Sequence, residues 1–383
     1  MLIFLSVMTA VLGTLAAYLG LRLIPAGWST SARLWAWAAI VAVVLVQPAS
    51  FVVRFVLHKE VVGDALSWLA YVAMGLLLLL LSFTLLRDVG WLAGRLARLL
   101  PVDPERRQAM LELTNLGVFA LTAGTFGVGL VRALARPTVV DVSVPIAGLP
   151  AALEGFVIVQ ISDIHIGPTL KRPFLTTVVD IVNALHADLI AVTGDLVDGS
   201  VEELGRHTDV LGKLSARHGA WFVTGNHEYY SGVEQWVQEV RRLGLTVLID
   251  EHRVIEHGGH RIVVGGVADY TAAGMMPSHK SDPHAAMRGA PADAAFKLLL
   301  AHQPRSAFEA AKAGFQLQLS GHTHGGQMFP GNLLIHLVQP FAAGLHVHEG
   351  MHIYTNSGTG WWGPPLRTTR TPSEITRLTL TRA

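Results

Sequence analysis

Four long apolar stretches, separated by short polar segments, occupy the first third of the chain. They cover residues 2–23, 34–57, 65–86 and 111–134. Each is close to the ~20 residues that an α-helix needs to cross a ~30 Å hydrocarbon core. Gln47, Pro48 and Arg54 interrupt the second stretch, although a proline kink is tolerated inside a helix bundle. The pattern predicts an all-α transmembrane region of about four helices over residues 1–136, with the lipid bilayer as its partner.

Two of these stretches have an alternative interpretation. The first resembles a cleaved signal peptide in length, but no charged n-region precedes it and three more apolar stretches follow. The fourth is also compatible with a buried helix of a soluble domain. Its small residues Ala120, Ala123, Gly124 and Gly127 favour close helix packing in a membrane.

Arginine and lysine are unevenly distributed around the apolar stretches, and cytoplasmic loops are the ones that carry the excess. One side holds Arg22, Arg33, Arg87, Arg95, Arg98, Arg106 and Arg107. The other side holds Arg54, Lys59, Arg132 and Arg136. The bias predicts a multi-pass protein of the cell membrane whose C-terminal domain is extracytoplasmic.

Beyond residue 136 the chain alternates short apolar runs with amphipathic segments. Buried strands are predicted at residues 156–161, 189–192, 221–223, 246–249, 253–256, 261–264, 297–300 and 317–319. Helices are predicted at residues 173–185, 201–214 and 233–243. Alternating strands and helices followed by a strand-rich stretch predict an α/β domain over residues 156–383, with helices outside stacked sheets. Ligands of such sheets bind beyond the carboxyl ends of the strands.

Two segments have weaker patterns. Residues 137–155 are predicted to be an extended connector with one possible strand at 138–144. Residues 268–291 have no usable period and are predicted to be a long loop near the site.

Charge and histidine content also change near residue 136. The first region has a net charge of +5 and the remainder −4, and only His58 of the eighteen histidines lies in the first region. This concentration of imidazoles indicates metal or acid–base chemistry in the second region. The chain has no cysteine, which excludes disulfides and thiolate sites. An acidic domain without a basic stripe makes nucleic acid an unexpected partner.

Metal-binding residue types follow five of the predicted strands. They are Asp163 and His165, Asp195, Asn226 with His227, His302, and His322 with His324. Carboxylate, imidazole and amide oxygen are ligands for divalent Mn, Fe or Zn. Members of each D-x-H or H-x-H pair lie on the same face of an extended segment, because side chains alternate along it. The number of groups exceeds the needs of one ion and predicts two divalent transition metal ions about 3.5–4 Å apart.

Glycine accompanies three of the expected ligands. Gly194, Gly225 and Gly321 precede Asp195, Asn226 and His322. Because glycine has no Cβ, we expect it to let the backbone turn sharply at each of these positions.

This series of motifs resembles the calcineurin-like metallophosphoesterase superfamily. The pattern D-x-H, G-D, G-N-H-[DE], H and G-H-x-H occurs in that order within residues 156–380. Residues 162–165, 193–198, 301–304, 319–327 and the tail 358–375 are similar to the exported, membrane-associated phosphodiesterase branch. The resemblance implies an αββα sandwich. Trp361 and Trp362 depart from the pattern, and the sequence assigns them no role.

The resemblance also implies a set of ligands. One ion is expected to bind Asp163, His165, Asp195 and His324, and the other Asp195, Asn226, His302 and His322. Asp195 would bridge the two ions, whose positive charge suits a phosphate transition state. A water that they activate would attack phosphorus in line. His227 is the expected proton donor to the leaving oxygen, which makes it, with Asp195, a predicted catalytic residue.

Other residues have secondary claims. His279, His284, His346, His348 and His352 are candidates for substrate contact from loops. Arg367 is a candidate for a phosphate clamp or for an ion pair that holds the tail. Asp198 and Glu228 are expected to orient ligands or to cap helices. Tyr229, Tyr230 and the Trp361–Trp362 pair are expected to pack against neighbours or to touch a lipid or sugar.

These features predict a membrane-anchored enzyme that hydrolyses phosphodiester or pyrophosphate bonds. The expected substrate is a phosphorylated small molecule or lipid, with an envelope lipid or glycan phosphate at the outer face as the first choice. One alternative is a UDP-sugar-lipid pyrophosphatase, which needs a cytoplasmic active site. The other is a non-catalytic membrane sensor of phosphate or metal.

Overall fold

The computed structural model describes residues 2–57, 60–100, 103–369 and 371–383. The chain divides into two compact units. One consists of Met1–Arg132 with Gly363–Thr368, and the other of Ala133–Trp362 with Thr369–Ala383. The short segment Gly363–Thr368 therefore belongs to the first unit, although it lies late in the sequence.

Long helices form the first unit. Over its described residues they are α1 (Leu2–Leu23), α2 (Thr30–Phe51), α3 (Glu60–Leu96) and α4 (Pro104–Leu134), with a π-helical turn at Val52–Val56. Each helix is long and apolar enough to cross a membrane, which confirms the prediction of apolar helices at the N-terminus.

Two of these helices are longer than their apolar stretches. α3 extends beyond residues 65–86 at both ends, and α4 begins at Pro104 rather than at residue 111. The Asp103 carboxylate accepts a hydrogen bond from the Glu105 N–H at 3.0 Å, and Pro104 suits a first helical position. Hydropathy marks the part of a helix that suits a bilayer, whereas capping and propensity decide where the helix begins.

The segment Gly363–Thr368 packs closely against glycines of the first unit. A Cβ at Gly75 would lie less than 3.0 Å from Leu366, and a Cβ at Gly129 less than 3.0 Å from Thr368. The Arg367 N–H donates to the Gly129 carbonyl at 2.9 Å, and the Arg367 side chain is fully buried. Small helix residues therefore make room for this segment.

The second unit contains two stacked sheets, each six-stranded within the described chain. The strands of the first sheet are β1 (Thr138–Ile146), β2 (Val157–Ile161), β3 (Leu189–Thr193), β4 (Ala220–Val223), β5 (Thr246–Val247) and β12 (Glu374–Arg382). The strands of the second sheet are β6 (Glu251–His257), β7 (His260–Gly266), β8 (Phe296–Leu300), β9 (Leu317–Ser320), β10 (Gly344–His348) and β11 (Met351–Thr355). Their orders are β1-β12-β2-β3-β4-β5 and β10-β11-β9-β8-β7-β6.

Alternation along the strands divides the core between two layers. Leu298 and Leu300 lie in one apolar cluster with Ile158 and Leu189 of the first sheet, so the inner faces of the two sheets pack together. Leu299 points the other way and packs with Ala307 and other residues of the helical layer. The helices are α5 (Arg172–Ala184), α6 (Val201–Thr208), α7 (Asn226–Tyr230), α8 (Val233–Arg242), α9 (Pro283–Met287), α10 (Ala307–Ala313) and α11 (Gly331–Val338). The predicted α/β sandwich with flanking helices is confirmed.

Several boundaries differ from the sequence predictions. The helix predicted at residues 201–214 ends at Thr208 and continues as a 3-10 turn, Asp209–Lys213. The strand predicted at residues 246–249 is limited to Thr246–Val247. The loop predicted at residues 268–291 contains α9, whose start is capped by the Asp282 carboxylate.

The C-terminal strand has the largest effect on the sheet. β1, which lies in the predicted connector, pairs in parallel with β12 from Thr138↔Glu374 to Ile146↔Arg382. β12 also pairs antiparallel with β2. Parts of the chain more than 200 residues apart therefore meet at the edge of the first sheet, a long-range pairing that a local pattern does not reveal.

Candidate metal centre

The predicted ligands follow strands whose carboxyl ends meet at one end of the sandwich. Asp163 follows β2, Asp195 follows β3 and Asn226 follows β4, which are parallel neighbours in the first sheet. His302 follows β8 and His322 follows β9, which are parallel neighbours in the second sheet. The strand order therefore brings predicted ligands that are more than 150 residues apart in the sequence to the same end of the sandwich.

Within the described residues, three groups of His and Asp place one ligand atom each within 4.8 Å of one another. They are Asp163, His165 and His324; His165, Asp195 and His227; and Asp195, His302 and His322. The first and third groups contain six of the seven predicted ligands, and Asp195 takes part in two groups. The first and third groups share no residue, and the second links them through His165 and Asp195 but also includes His227, the predicted proton donor.

One oxygen of Asp195 faces the histidines, while its other oxygen is held by the backbone. Oδ1 accepts a hydrogen bond from the His227 N–H at 2.9 Å. Oδ2 lies 3.1 Å from His302 Nε2, 3.9 Å from His165 Nε2 and 3.9 Å from His227 Nε2. The backbone hydrogen bond therefore fixes the orientation of the carboxylate and leaves Oδ2 facing the histidines.

Hydrogen bonds at Nδ1 orient the histidines toward the centre. His302 Nδ1 lies 2.8 Å from the Thr193 carbonyl oxygen, which can only accept, so Nδ1 carries a hydrogen and Nε2 is the nitrogen that faces Asp195 Oδ2. Asp198 Oδ1 lies 3.0 Å from His165 Nδ1 and 2.6 Å from His227 Nδ1. Asp198 thus joins a predicted ligand to the predicted proton donor, in agreement with its expected orienting role.

Five of the predicted ligands adopt a backbone conformation that non-glycine residues rarely use. Their φ angles are 51° at Asp163, 53° at His165, 51° at Asp195, 71° at His322 and 50° at His324. Each such residue costs of order 1 kcal/mol or more, and strain of this kind concentrates at functional sites. The chain sustains it because the surrounding strands are buried and fully paired.

Opposite charges outweigh burial at Asp195 and Asp198, whereas burial raises the pKa of Asp163. Burial alone would raise the pKa of Asp195, but the charges of His302 and its other histidine neighbours hold that pKa well below its usual value. Burial likewise opposes ionisation of Asp198, yet the pairs with His165 and His227 lower its pKa to about 2. Both groups are anionic near neutral pH, which suits a cation-binding centre.

The histidines respond to burial and charge in opposite directions. Burial lowers the pKa of His165, but the nearby carboxylates, Asp198 first among them, outweigh burial and raise it to about 9. Burial and the charge on His302 lower the pKa of His322 to about 3. His322 is therefore neutral at physiological pH, the form in which imidazole binds metals.

The three motif glycines also matter for close packing. Gly194 has a φ of 83°, a conformation that glycine adopts without strain. Gly225 and Gly321 do not have positive φ, so packing is what requires glycine there. A Cβ on Gly225 would lie less than 3.0 Å from Asp195 Oδ1, and one on Gly321 less than 3.0 Å from Asp163 Oδ2.

Glu228 accepts hydrogen bonds from the two loops that follow β3 and β4 and carry predicted ligands. Its Oε2 accepts hydrogen bonds from the N–H groups of Asp195 at 3.0 Å and Gly225 at 2.6 Å, and its Oε1 accepts one from Leu196 at 2.7 Å. The side chain is fully buried, and burial, with the charge of Asp195, raises its pKa to about 7. Glu228 is thus an acceptor that joins two loops.

Replacing Glu228 by Gln should destabilise the protein. The amide NH₂ would face a backbone N–H, so one buried donor loses its acceptor at a cost of about 1–3 kcal/mol. We expect Glu228→Gln to lower the melting temperature measurably, while Glu256→Gln, a change at an exposed glutamate, should leave it unchanged. Equal melting temperatures for the two variants would contradict this role of Glu228.

The other residues that the sequence analysis considered for substrate contact, five histidines and Arg367, do not line the cavity at the centre. Of the five loop histidines, all of which are described, none lines the cavity at the centre. His279 instead accepts or donates a hydrogen bond at Tyr229 Oη, at 2.8 Å. Arg367 belongs to the helical unit, where its backbone binds Gly129. Its side chain is fully buried and does not line the cavity at the centre.

The centre opens into a cavity of about 250 Å³. Its walls are formed by His165, Asp195, Asn226, His227, Tyr230, His322, His324 and Trp362. Of the tryptophan pair, Trp361 is buried and packs near Phe174 at a ring distance of 6.0 Å, whereas Trp362 faces the cavity. The sequence offered no signal that would separate the two tryptophans.

The side chains present fit a cation. Asn226 Oδ1 is a buried atom without a hydrogen-bond partner among the described residues, and it lies in a cavity that four histidines and the Asp195 carboxylate also line. An unsatisfied buried carbonyl oxygen is costly unless something binds it. A divalent ion is the partner that this donor set suits.

Comparison with known proteins agrees with the motifs. The family described as calcineurin-like phosphoesterase matches residues 156–326. A "transmembrane protein with metallophosphoesterase domain" from Danio rerio is 34% identical over 93% of this chain and 82% of its own length. The protein of the same name from Bos taurus is 35% identical over 95% and 84%. An uncharacterized metallophosphoesterase from Helicobacter pylori is 35% identical over 72% and 73%.

Fold, centre and relatives define a membrane-associated hydrolase of phosphoesters. The chain belongs to the calcineurin-like metallophosphoesterase family, whose members generally use two divalent metal ions.

Proposed function

We propose that the chain hydrolyses phosphodiester or pyrophosphate bonds at a dinuclear centre. Asp163, His165, Asp195 and His324 would hold one ion, and Asp195, Asn226, His302 and His322 the other. The observation that carries this proposal is that six of its seven ligands form two compact groups, Asp163 with His165 and His324, and Asp195 with His302 and His322. Asp195 Oδ2 lies 3.9 Å from His165 Nε2, which places the two groups next to each other. Mn, Fe and Zn are the ions that this mixture of imidazole, carboxylate and amide oxygen suits.

His227 and Asp198 have separate proposed roles in the reaction. Two divalent ions, when bound, neutralise the charge on the phosphoryl group and activate a water. His227 Nδ1 is bound to Asp198, so its Nε2 faces the cavity and can give a proton to the leaving oxygen. Asp198 stabilises the protonated imidazole and fixes its orientation, much as a carboxylate orients histidine in other acid–base pairs.

Metal-dependent turnover tests the proposal directly. The full-length protein, purified in detergent, should hydrolyse bis-p-nitrophenyl phosphate, lose activity after EDTA treatment and recover it with Mn²⁺, Fe²⁺ or Zn²⁺. Phosphomonoesters and pyrophosphates are assayed in parallel to rank the bond types. Undiminished turnover by protein shown to be metal-free would refute the proposal.

Replacing His227 should separate proton donation from metal binding. We expect His227→Asn to retain its metal and to lose about a hundredfold or more in kcat on diesters with alkyl leaving groups. The loss should be much smaller with p-nitrophenol, which leaves without protonation. His186→Asn, at an exposed position, is the matched control. Equal losses on both kinds of leaving group would contradict the role of His227 as an acid.

An exposed apolar helix supports a lipid as the substrate. Within the described residues 331–338 of α11, no side chain is buried. Leu333 is 61% exposed and Leu337, one turn later on the same face, is 80% exposed. An apolar patch of this kind is costly in water and is typical of surfaces that dip into a membrane interface. The helix follows the G-H-T-H motif by few residues, so we propose that it engages a bilayer that holds the substrate.

The lipid proposal predicts a selective defect. We expect the double variant Leu333→Ser/Leu337→Ser, reconstituted in vesicles, to turn over the p-nitrophenyl ester of a phosphatidic acid about tenfold more slowly than the parent. Its turnover of soluble bis-p-nitrophenyl phosphate should change little. Val347→Ser, at a residue that is 61% exposed outside α11, is the control. Equal changes on both substrates would argue against a lipid substrate.

We further propose that the protein is multi-pass and that its catalytic domain is extracytoplasmic. Seven basic residues on one side of the apolar helices against four on the other support this orientation. Protease added to intact spheroplasts should then remove the domain. Protection of the domain would instead favour a pyrophosphatase at the cytoplasmic face.

A further inference from the structure

Two exposed aromatic rings border the proposed proton donor. Tyr230 is 65% exposed and its ring lies 5.3 Å from the ring of His227, at an interplanar angle of 66°. Trp362 is 56% exposed and its ring lies 5.9 Å from that of His227, at 78°. Both rings line the cavity. Large aromatic side chains left in water at the mouth of a polar cavity are available to a ligand.

A buried glutamine holds Trp362 in this place. Gln327 Nε2 donates to the Trp362 carbonyl oxygen at 3.2 Å, and the Trp362 N–H donates to Gln327 Oε1 at 3.1 Å. Gln327 is only 7% exposed. This pair of hydrogen bonds fixes the backbone of Trp362 as a strand partner would. The indole therefore stays at the cavity although the segment around it has no regular secondary structure.

The position of the two rings beside His227 places them next to the leaving group of the substrate. His227 presents Nε2 to the cavity, and the group that receives its proton is the leaving alcohol. The atoms attached to that leaving oxygen must then pass beside Tyr230 and Trp362. Aromatic faces bind other flat rings by stacking and bind sugar rings through their C–H groups, whereas a short acyclic chain covers little of such a face.

We infer that Tyr230 and Trp362 form a subsite for a ring carried on the leaving group of the phosphodiester, and that Gln327 positions Trp362 for it. The inference rests on the proposed function and names its substrate class: an ester whose leaving alcohol bears a sugar or a nucleoside ring. Gln327 acts only through Trp362 and is a positioning residue.

The test compares two diesters in the full-length enzyme. Bis-p-nitrophenyl phosphate has a ring on its leaving group, and bis(trifluoroethyl) phosphate, followed by fluorine NMR, has none. Tyr230→Ala and Trp362→Ala should each lower kcat/KM on the ring diester about tenfold more than on the acyclic diester. Tyr270→Ala removes a ring that is 49% exposed and lies outside the cavity, and it should leave the ratio unchanged.

The direction of the change separates this inference from its rivals. If the rings served only to orient His227, the acyclic diester would suffer more, because its leaving group needs the proton more. That result, or equal losses on both diesters, would overturn the subsite. A parent enzyme that is inactive on both diesters would overturn the proposed function together with the subsite. Metal content equal to that of the parent shows that each variant has kept its centre.

The positioning role of Gln327 is tested by comparing the single variants at Gln327 and Trp362 with the double variant. Gln327→Ala should reduce the preference for the ring diester as far as Trp362→Ala does, and the double variant should reduce it no further. Additive losses, or a loss on both diesters alike, would overturn the positioning role.

Inhibition of the enzyme by phosphate monoesters distinguishes a sugar ring from a nucleoside ring. Glucose phosphate and thymidine monophosphate are compared with glycerol phosphate, which has no ring. Stronger inhibition by one of the ring phosphates, lost in Trp362→Ala, identifies a sugar or a nucleoside as the group. Inhibition no stronger than that by glycerol phosphate would overturn the inference.

Discussion

Asp195→Asn should reduce kcat/KM on bis-p-nitrophenyl phosphate by about a thousandfold or more and lower the metal content of the protein. The Asp195 Oδ2 atom lies within 3.9 Å of Nε2 of three histidines, so it is the one oxygen that both proposed ion sites share. An amide removes the negative charge, and its NH₂ group donates rather than accepts. A bridging position tolerates neither change.

The matched control for this variant is Asp180→Asn. Asp180 lies on α5 with its side chain exposed, so the same chemical change should affect neither metal content nor turnover. Metal content and kcat/KM are measured on the same preparations. An Asp195→Asn enzyme with full metal and activity within tenfold of the parent would rule out the bridging role.

Gly321→Ala should strongly reduce activity through packing alone, because the new methyl group has no space. A Cβ at this position would lie less than 3.0 Å from Ser162 Oγ and from Asp163 Oδ2, and both side chains are fully buried. Overpacking of a rigid core costs typically about 1–3 kcal/mol. Here the displaced group is a proposed ligand whose carboxylate also accepts the His322 N–H at 2.9 Å.

We therefore expect Gly321→Ala to lower both the melting temperature and the metal content, with a loss in kcat/KM of about a hundredfold or more. Gly274→Ala is the control, since nothing lies within 4 Å of a Cβ there and its φ is not positive. A Gly321→Ala protein as stable and active as the control would show that the loop moves freely, contrary to the packing described above.

The sequence predicted which His and Asp residues lie close together, and it predicted the fold class, but it predicted several element boundaries incorrectly. Asp163, His165, Asp195 and the later histidines were recognisable because each follows an apolar run, and parallel strands place such positions at one edge. The ligand groups could therefore be predicted without knowing how the sheets are arranged. That Asp195 would offer one oxygen to the backbone and one to the centre depends on the loop after β4, which local pattern does not determine.

What the sequence did not predict depends on contacts between distant residues. β12 pairs with β1, which lies more than 200 residues earlier in the chain. The alternating pattern of β12 does not show which strand it pairs with. The same holds for Trp362, whose position depends on the Gln327 side chain. The five histidines predicted to reach the site from loops illustrate the reverse case: His284 lies in α9, His346 and His348 in β10 and His352 in β11, and none of the five lines the cavity.

The number of metal ions per active chain tests the central claim most directly. Protein stripped of metal is titrated with Mn²⁺ while bound metal, by mass spectrometry, and turnover of bis-p-nitrophenyl phosphate are followed together. The two proposed ion sites, which share Asp195, predict that activity reaches its maximum as the second ion binds. Full activity with one ion per chain, or with none, would contradict a dinuclear centre.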